Sequence, residues 1–203
     1  MSINVCNNNS MSAITSLPSG VGGGALNLIS TQTASSSSTM SFTSNIDSTY
    51  KEYIFKFIDI HPSENAGFLI NFSADGGSNY NVTKTTTNFE AYHNEAGNDA
   101  SLNYSASGDL AQGTGTQHLT GVSASIGADN DQSAVGIIHL FDPSSTTFVK
   151  HFISLFHQNE ARDYSWQRYV AGYCNTTSAV NAVQFSMSAG TIASGTIKMY
   201  GVV

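Results

Sequence analysis

The sequence predicts an all-β protein: an antiparallel β-sandwich, jelly-roll-like, with an extended N-terminal arm. Three observations predict it. Ser, Thr and Asn number 30, 19 and 18 in a chain of 203 residues, and these residue types are poor helix formers that compete for the backbone through caps and turns. Short apolar and aromatic runs recur along the chain, each bounded by Gly, Pro, Asn, Asp or Ser, which is the punctuation of strands and turns. No window of helical length carries apolar residues at the helical period.

Residues 1–36 differ from the rest. Asn7 to Asn9, Gly20, Gly22 to Gly24 and the serine run from Ser35 dominate them, and the only apolar stretch is Ala25-Leu26-Asn27-Leu28-Ile29. The composition is that of an arm, so the organisation reads as a docking arm over 1–36 and a β-sandwich domain over 37–203. Ile3, Val5, Ile14, Leu17, Leu26, Leu28 and Ile29 are spread thinly along the arm, as in a segment laid across a partner. Each Leu or Ile buried there would contribute ~1.5–3 kcal/mol. The GVGGGA at 20–25 has the spacing of a dinucleotide fingerprint, but no strand pattern precedes it and no helix pattern comes after it.

From Thr39 the strands run in order. Tyr53 to Ile60 is apolar on both faces, as in a buried central strand. The turn 61–67 contains Pro62, and Phe68, Ile70 and Phe72 then alternate. Asp75-Gly76-Gly77-Ser78 is a turn, and 79–84 and 89–93 read as two shorter strands. The Gly, Ser and Asn of 94–117 read as a long connection with one short strand at 102–105. Ala134 to Phe141 and Phe148 to Phe156 are strong apolar runs around a Pro-containing loop, and they predict a core hairpin. Segments 166–173, 180–187 and 192–200 complete some ten to twelve strands, enough for two packed sheets. The piece 158–163 reads as one helical turn.

Composition excludes several functions. Charged residues make up 10% and the net charge is -7, with seven Lys and Arg in all, so no nucleic-acid partner is expected, because phosphate binding needs clustered cations. No apolar stretch approaches ~18 residues, so no membrane partner is expected either, and the N-terminus has no signal-peptide pattern. Cys6 and Cys174 have no metal-type spacing and read as two unrelated thiols. No cofactor is expected.

Candidate chemistry is sparse. His139 and His151 flank the 142–147 loop and face each other in one hairpin register, but no third zinc ligand has a fixed spacing nearby. Asp129-Asn130-Asp131 opens like a calcium loop, yet Ala134 and Leu140 stand where the loop Gly and Glu belong. No metal site is therefore assigned. Gly121-Val122-Ser123-Ala124-Ser125 fails the nucleophile elbow at its last glycine, and the glutamates are scattered, so no catalytic residue is nominated. Tyr164, Trp166 and Tyr169 are candidates for stacking on sugar rings, although alternation puts Trp166 and Tyr169 on opposite faces.

The segments STYKEYIFKFIDIHP (48–62), DGGSNYN (75–81), AYHNE (91–95), HLFDPSSTTFVKHFI (139–153) and SGTIKMYG (194–201) resemble small virion proteins of tailed bacteriophages, especially marine ones. The resemblance spans roughly residues 26–203. It implies a non-catalytic structural component of the virion, a tail fibre or spike with adhesion to a host surface glycan, or a capsid decoration protein. An enzyme that degrades host polysaccharide is the third alternative. The implied partners are other virion proteins and copies of the chain itself, as a trimer, in a particle assembled in the host cytoplasm.

Overall fold

A computed structural model describes residues 25–122 and 124–203. Among them run twelve strands and no helix: β1 (Leu26–Thr33), β2 (Thr39–Phe42), β3 (Glu52–Pro62), β4 (Phe68–Ser73), β5 (Lys84–Asn94), β6 (Ala100–Tyr104), β7 (Gln117–His118), β8 (Ala134–Phe141), β9 (Lys150–Glu160), β10 (Tyr164–Cys174), β11 (Ala182–Met187) and β12 (Ile192–Val202). They form an eight-stranded sheet, β1-β12-β3-β8-β9-β10-β5-β6, and a four-stranded sheet, β2-β11-β4-β7. Every pairing is antiparallel. Eight of the strands nest as a jelly roll: β1 pairs with β12, β2 with β11, β3 with β8 and β4 with β7. The remaining four, β9, β10, β5 and β6, extend the larger sheet beyond β8. The all-β sandwich expected from the sequence is therefore the fold observed.

Aromatic rings fill the space between the sheets. Phe57 of β3 meets Phe156 of β9 at 4.9 Å, and Phe68 of β4 and Phe185 of β11 at 5.6 and 5.0 Å. Phe57 and Phe156 are on strands separated by β8, where both pair with Gly136. A Cβ on Gly136 would lie 2.6 Å from the Phe156 ring. The missing side chain is thus the gap through which the two rings touch. A bulge then shifts the parity of the last part of β3. Asp59 has φ +50° and Gly195 beside it φ +123°, so Ile60 turns inward although Ile58 points out.

The structure relocates several expected features. Residues 26–33, read as part of the arm, form β1 and pair with β12 along their length. No strand covers 79–83, because this segment crosses from β4 in one sheet to β5 in the other, held by Asn71 Nδ2 donating to the Tyr80 carbonyl at 2.6 Å. The expected helical turn at 158–163 is the end of β9 followed by a tight turn with Asp163 at φ +65°. β4 is buried at all six positions rather than alternately.

At this crossing the sheets are tied by a buried cation. The Lys84 Nζ donates to Asn71 Oδ1 and to the Val82 carbonyl, both at 2.7 Å. Cys174 stands between Lys84 and Lys150 in the ladder, and all three are fully buried. Burial pushes Lys84 down to about 8 and the Cys174 thiol up to about 12.

This core makes two measurable demands. Gly136→Ala should cost ~1–3 kcal/mol in urea unfolding by forcing the rings apart, and an unchanged midpoint would refute the packing role given to this glycine. From pH 8 to 9, folded Lys84 loses its proton while the unfolded side chain keeps it, so stability rises with pH. Above about pH 9 the Cys174 thiol ionises only in the unfolded chain and acts in the opposite sense. Unfolding free energy should thus rise by up to ~1 kcal/mol between pH 8 and 9 and then flatten, and Lys84→Met should remove most of the rise.

Candidate interaction face

The side of the larger sheet that faces away from the core carries many apolar side chains, among polar ones such as His139, His151, His157 and Gln167. β3 sends Phe55 and Phe57 inward, and by alternation sends Ile54, Lys56 and Ile58 outward. β8 sends Val135 and Ile137 outward, β9 Ile153 and Leu155, β10 Tyr169, and β5 Phe89. The register aligns these side chains into rows across the sheet. In the middle row Lys198 pairs with Lys56, Lys56 with Ile137, Ile137 with Leu155, Leu155 with Tyr169, Tyr169 with Phe89, and Phe89 with Tyr104. Tyr169 and Phe89 stack at 4.7 Å with their planes 9° apart.

Much of this surface is open. Ile58 is 41% exposed, Ile153 52% and Leu102 of β6 72%. Two shallow depressions mark it, one of about 390 Å³ between Ile58, Val135 and Leu155, the other of about 420 Å³ beside Ile153 and Tyr173. The two-faced apolarity of β3, which reads in the sequence as burial on both sides, is one core face and one open face.

Few charges stand on this side, among them Glu52 of β3, in contact with His139, and two lysines. Of the seven basic residues, Lys84, Lys150 and Arg168 are buried, Arg168 in an ion pair with Glu90. Two of the remaining four, Lys56 and Lys198, stand side by side on β3 and β12, with Lys56 Nζ 5.3 Å from the Tyr200 ring centre. Glu95 and Asp99 lie in the exposed β5–β6 turn, past the end of these rows, and Asp99 accepts from the Tyr164 hydroxyl. Lys150 and Arg168 lie beside apolar and aromatic residues, while Lys84 stands among threonines, so burial of the three cations has no common signal in the sequence.

The residues singled out in the sequence are scattered over the molecule. Leu26 and Leu28 sit on edge strand β1, 37% and 51% exposed, while Ile29 packs on the core. Ile3, Val5, Ile14, Leu17 and Cys6 lie outside the described residues. Tyr164, Trp166 and Tyr169 do not share a surface. Trp166 is buried against Tyr92 at 4.4 Å. The Tyr164 hydroxyl donates to Asp99 on that same side, and Tyr169 belongs to the outer rows.

His139 pairs with Ile153, so His151 stands two residues off the opposed position, and His139 contacts Glu52 instead. Asp129 accepts from the Gln132 amide in a turn, and Asp131 borders a polar depression with Asp59 and His61. Among the described residues no group of three or more His, Cys, Asp or Glu could hold a metal.

One nucleophile–base contact lies at the end of this face, with Ser165 Oγ 2.9 Å from His157 Nε2. Both residues are exposed, on adjacent ladder strands whose paired amides are engaged with their neighbours. Neither a group orienting the other His157 nitrogen nor a set of free backbone donors accompanies the pair among the described residues, and acyl transfer needs both.

The two sides of β9 should respond differently to truncation. Phe156→Ala should cost ~3–5 kcal/mol, and Ile153→Ala, three residues earlier, less than ~1 kcal/mol in dilute solution, as read by denaturant unfolding. Comparable losses would mean that the outer side is part of the core. No protein-family model matches the chain, and neither a curated protein nor a solved structure is similar to it.

Proposed function

We propose that the chain is a non-catalytic structural protein of a bacteriophage virion, which works by binding other virion proteins and copies of itself. The observation that carries the reading is the open apolar face of the eight-stranded sheet. Contiguous exposed apolar surface of this extent is a mark of protein interaction sites. The likeness of residues 26–203 to small phage virion proteins supports the particle as the setting. Within the particle we favour a tail fibre or spike, trimeric and with a host surface glycan as its further ligand, over a capsid decoration protein. Residues 1–24 are the proposed docking arm, joined to edge strand β1 and carrying no charged residue.

Particle composition tests the reading. Mass spectrometry of purified virions should find the chain at tens of copies per particle, hundreds would move it to the capsid, and absence would overturn the function. Deleting residues 1–24 leaves every described strand intact, so the truncated chain should melt like the full one yet fail to enter particles. Normal incorporation would remove the docking role from the arm. Release of oligosaccharide from host envelope by the purified protein would favour the enzyme instead.

A further inference from the structure

We infer that Lys84 and Asn71 join in an intramolecular isopeptide bond, formed by the folded chain itself, that ties β5 of the larger sheet to β4 of the smaller. The inference is independent of the apolar face and of the virion reading.

Placement of the two side chains is the first argument. Lys84 Nζ donates to Asn71 Oδ1 at 2.7 Å. A C=O bond adds ~1.2 Å, so the nitrogen lies within ~4 Å of the carbonyl carbon. Lys84 is fully buried and Asn71 is 6% exposed. The Asn71 amide is fixed at both ends. Its oxygen also accepts from the Phe72 amide at 2.9 Å, and its nitrogen donates to the Tyr80 and Thr114 carbonyls at 2.6 and 3.2 Å. Exchanging oxygen for nitrogen would set donor against donor, so these partners fix which atom meets the lysine. Groups held in near-attack geometry react as if at an effective concentration of ~10⁵ M or more.

The chemistry balances within the pair. In the neutral amine, one N–H can stay on the Val82 carbonyl while the lone pair turns to Asn71 Cγ. A C–N bond forms, and the charge that develops on Oδ1 falls on the Phe72 N–H in a site withdrawn from water. One Nζ proton passes to Nδ2, the Cγ–Nδ2 bond breaks, and ammonia leaves. The product is a secondary amide, and neither an oxidant nor a co-reactant is consumed. Burial holds Lys84 down at about 8, so a share of it is the neutral nucleophile where an exposed lysine is almost wholly charged. No carboxylate is hydrogen-bonded to the pair among the described residues, and Glu160 and Glu90 are taken up by Arg162 and Arg168. General acid–base assistance is worth ~10²–10⁴-fold, so this bond forms slowly. The titration of Lys84 belongs to the chain in which it has not yet formed.

Mass spectrometry of the full-length chain tests this. As purified, or after days at pH 8.5, the protein should be lighter than its sequence by ~17 Da, the mass of one ammonia. Trypsin cuts after Lys and Arg, so the bonded chain should yield residues 57–150 as one peptide, uncut after Lys84 and lighter by the same amount. Fragmentation of that peptide should give no backbone break between Asn71 and Lys84, because the bond closes this stretch into a ring. Lys84→Arg, which keeps a cation for the same oxygens, should retain its full sequence mass. A chain that keeps its full mass for weeks at pH 8.5 overturns the inference. So does a loss of ammonia that leaves cleavage after Lys84 intact or persists in Lys84→Arg, since an asparagine has then closed on its own backbone. None of these results depends on whether the chain is found in virions.

Discussion

The contact of Phe57 with Phe156 across Gly136 is the constraint on which the rest of the sandwich depends. It requires β3, β8 and β9 to be neighbours in this register, because a one-residue slip would place side chains of the opposite face in the gap. Once the rings meet, Phe68 and Phe185 of the smaller sheet close over them, stacked on each other with planes 12° apart. Alternation then leaves no choice for the flanking positions: Lys56 and Ile58, Val135 and Ile137, Leu155 and His157 must point away from the core. The same row that seals the interior therefore composes the outer face. That face is apolar because these strands are apolar at both parities, and only one parity is needed for the core.

A chain with so few charges cannot distribute them evenly, and this one places three of its seven cations inside. Lys84 bridges β4 to β5 through Asn71, Lys150 caps the Phe148 and Thr176 carbonyls, and Arg168 is matched by Glu90. Burying a cation is costly, and the cost is limited by giving each one fixed oxygen partners. The benefit is placement: where four-stranded and eight-stranded sheets exchange strands, Lys84 can satisfy carbonyls that no ladder reaches. On the outer face this leaves Lys56 and Lys198 side by side on β3 and β12.

Legibility in the sequence tracks the strength of the local signal. β3, the β8–β9 hairpin, β10 and β12 are readable because long runs of Phe, Ile, Val and Tyr stand between unmistakable turns. The register of the hairpin is not readable. Its connection runs from Asp142 to Val149 and has no two-residue turn to fix the pairing, so a sequence alignment of His139 with His151 is off by two residues. β1 is lost in the arm because Ser and Gln fill its inward positions, and β7 is two residues long. The open face is hidden for a deeper reason. Apolar side chains occupy the core-facing and the open parity of β3 alike, so its two-faced apolarity carries no mark of which side is covered.

Loops often carry function, but several loops of this chain spend their polar groups on their own backbone. Asp75 accepts from the Ser73 hydroxyl and from both the amide and side chain of Asn79, which hold its carboxyl down at about 2. Asp47 is engaged with Thr49 and Tyr53, and Asn94 with Asn98 and the Asp99 amide. These turns close on themselves, so their side chains stabilise local backbone and do not converge on a shared point in space. Catalysis or metal binding needs such convergence. The face of the larger sheet needs none, since the ladder already aligns its residues at fixed spacing over several rows. A fold whose central strands carry apolar residues at both parities thus presents extended apolar surface on one side while its turns are occupied with their own backbone.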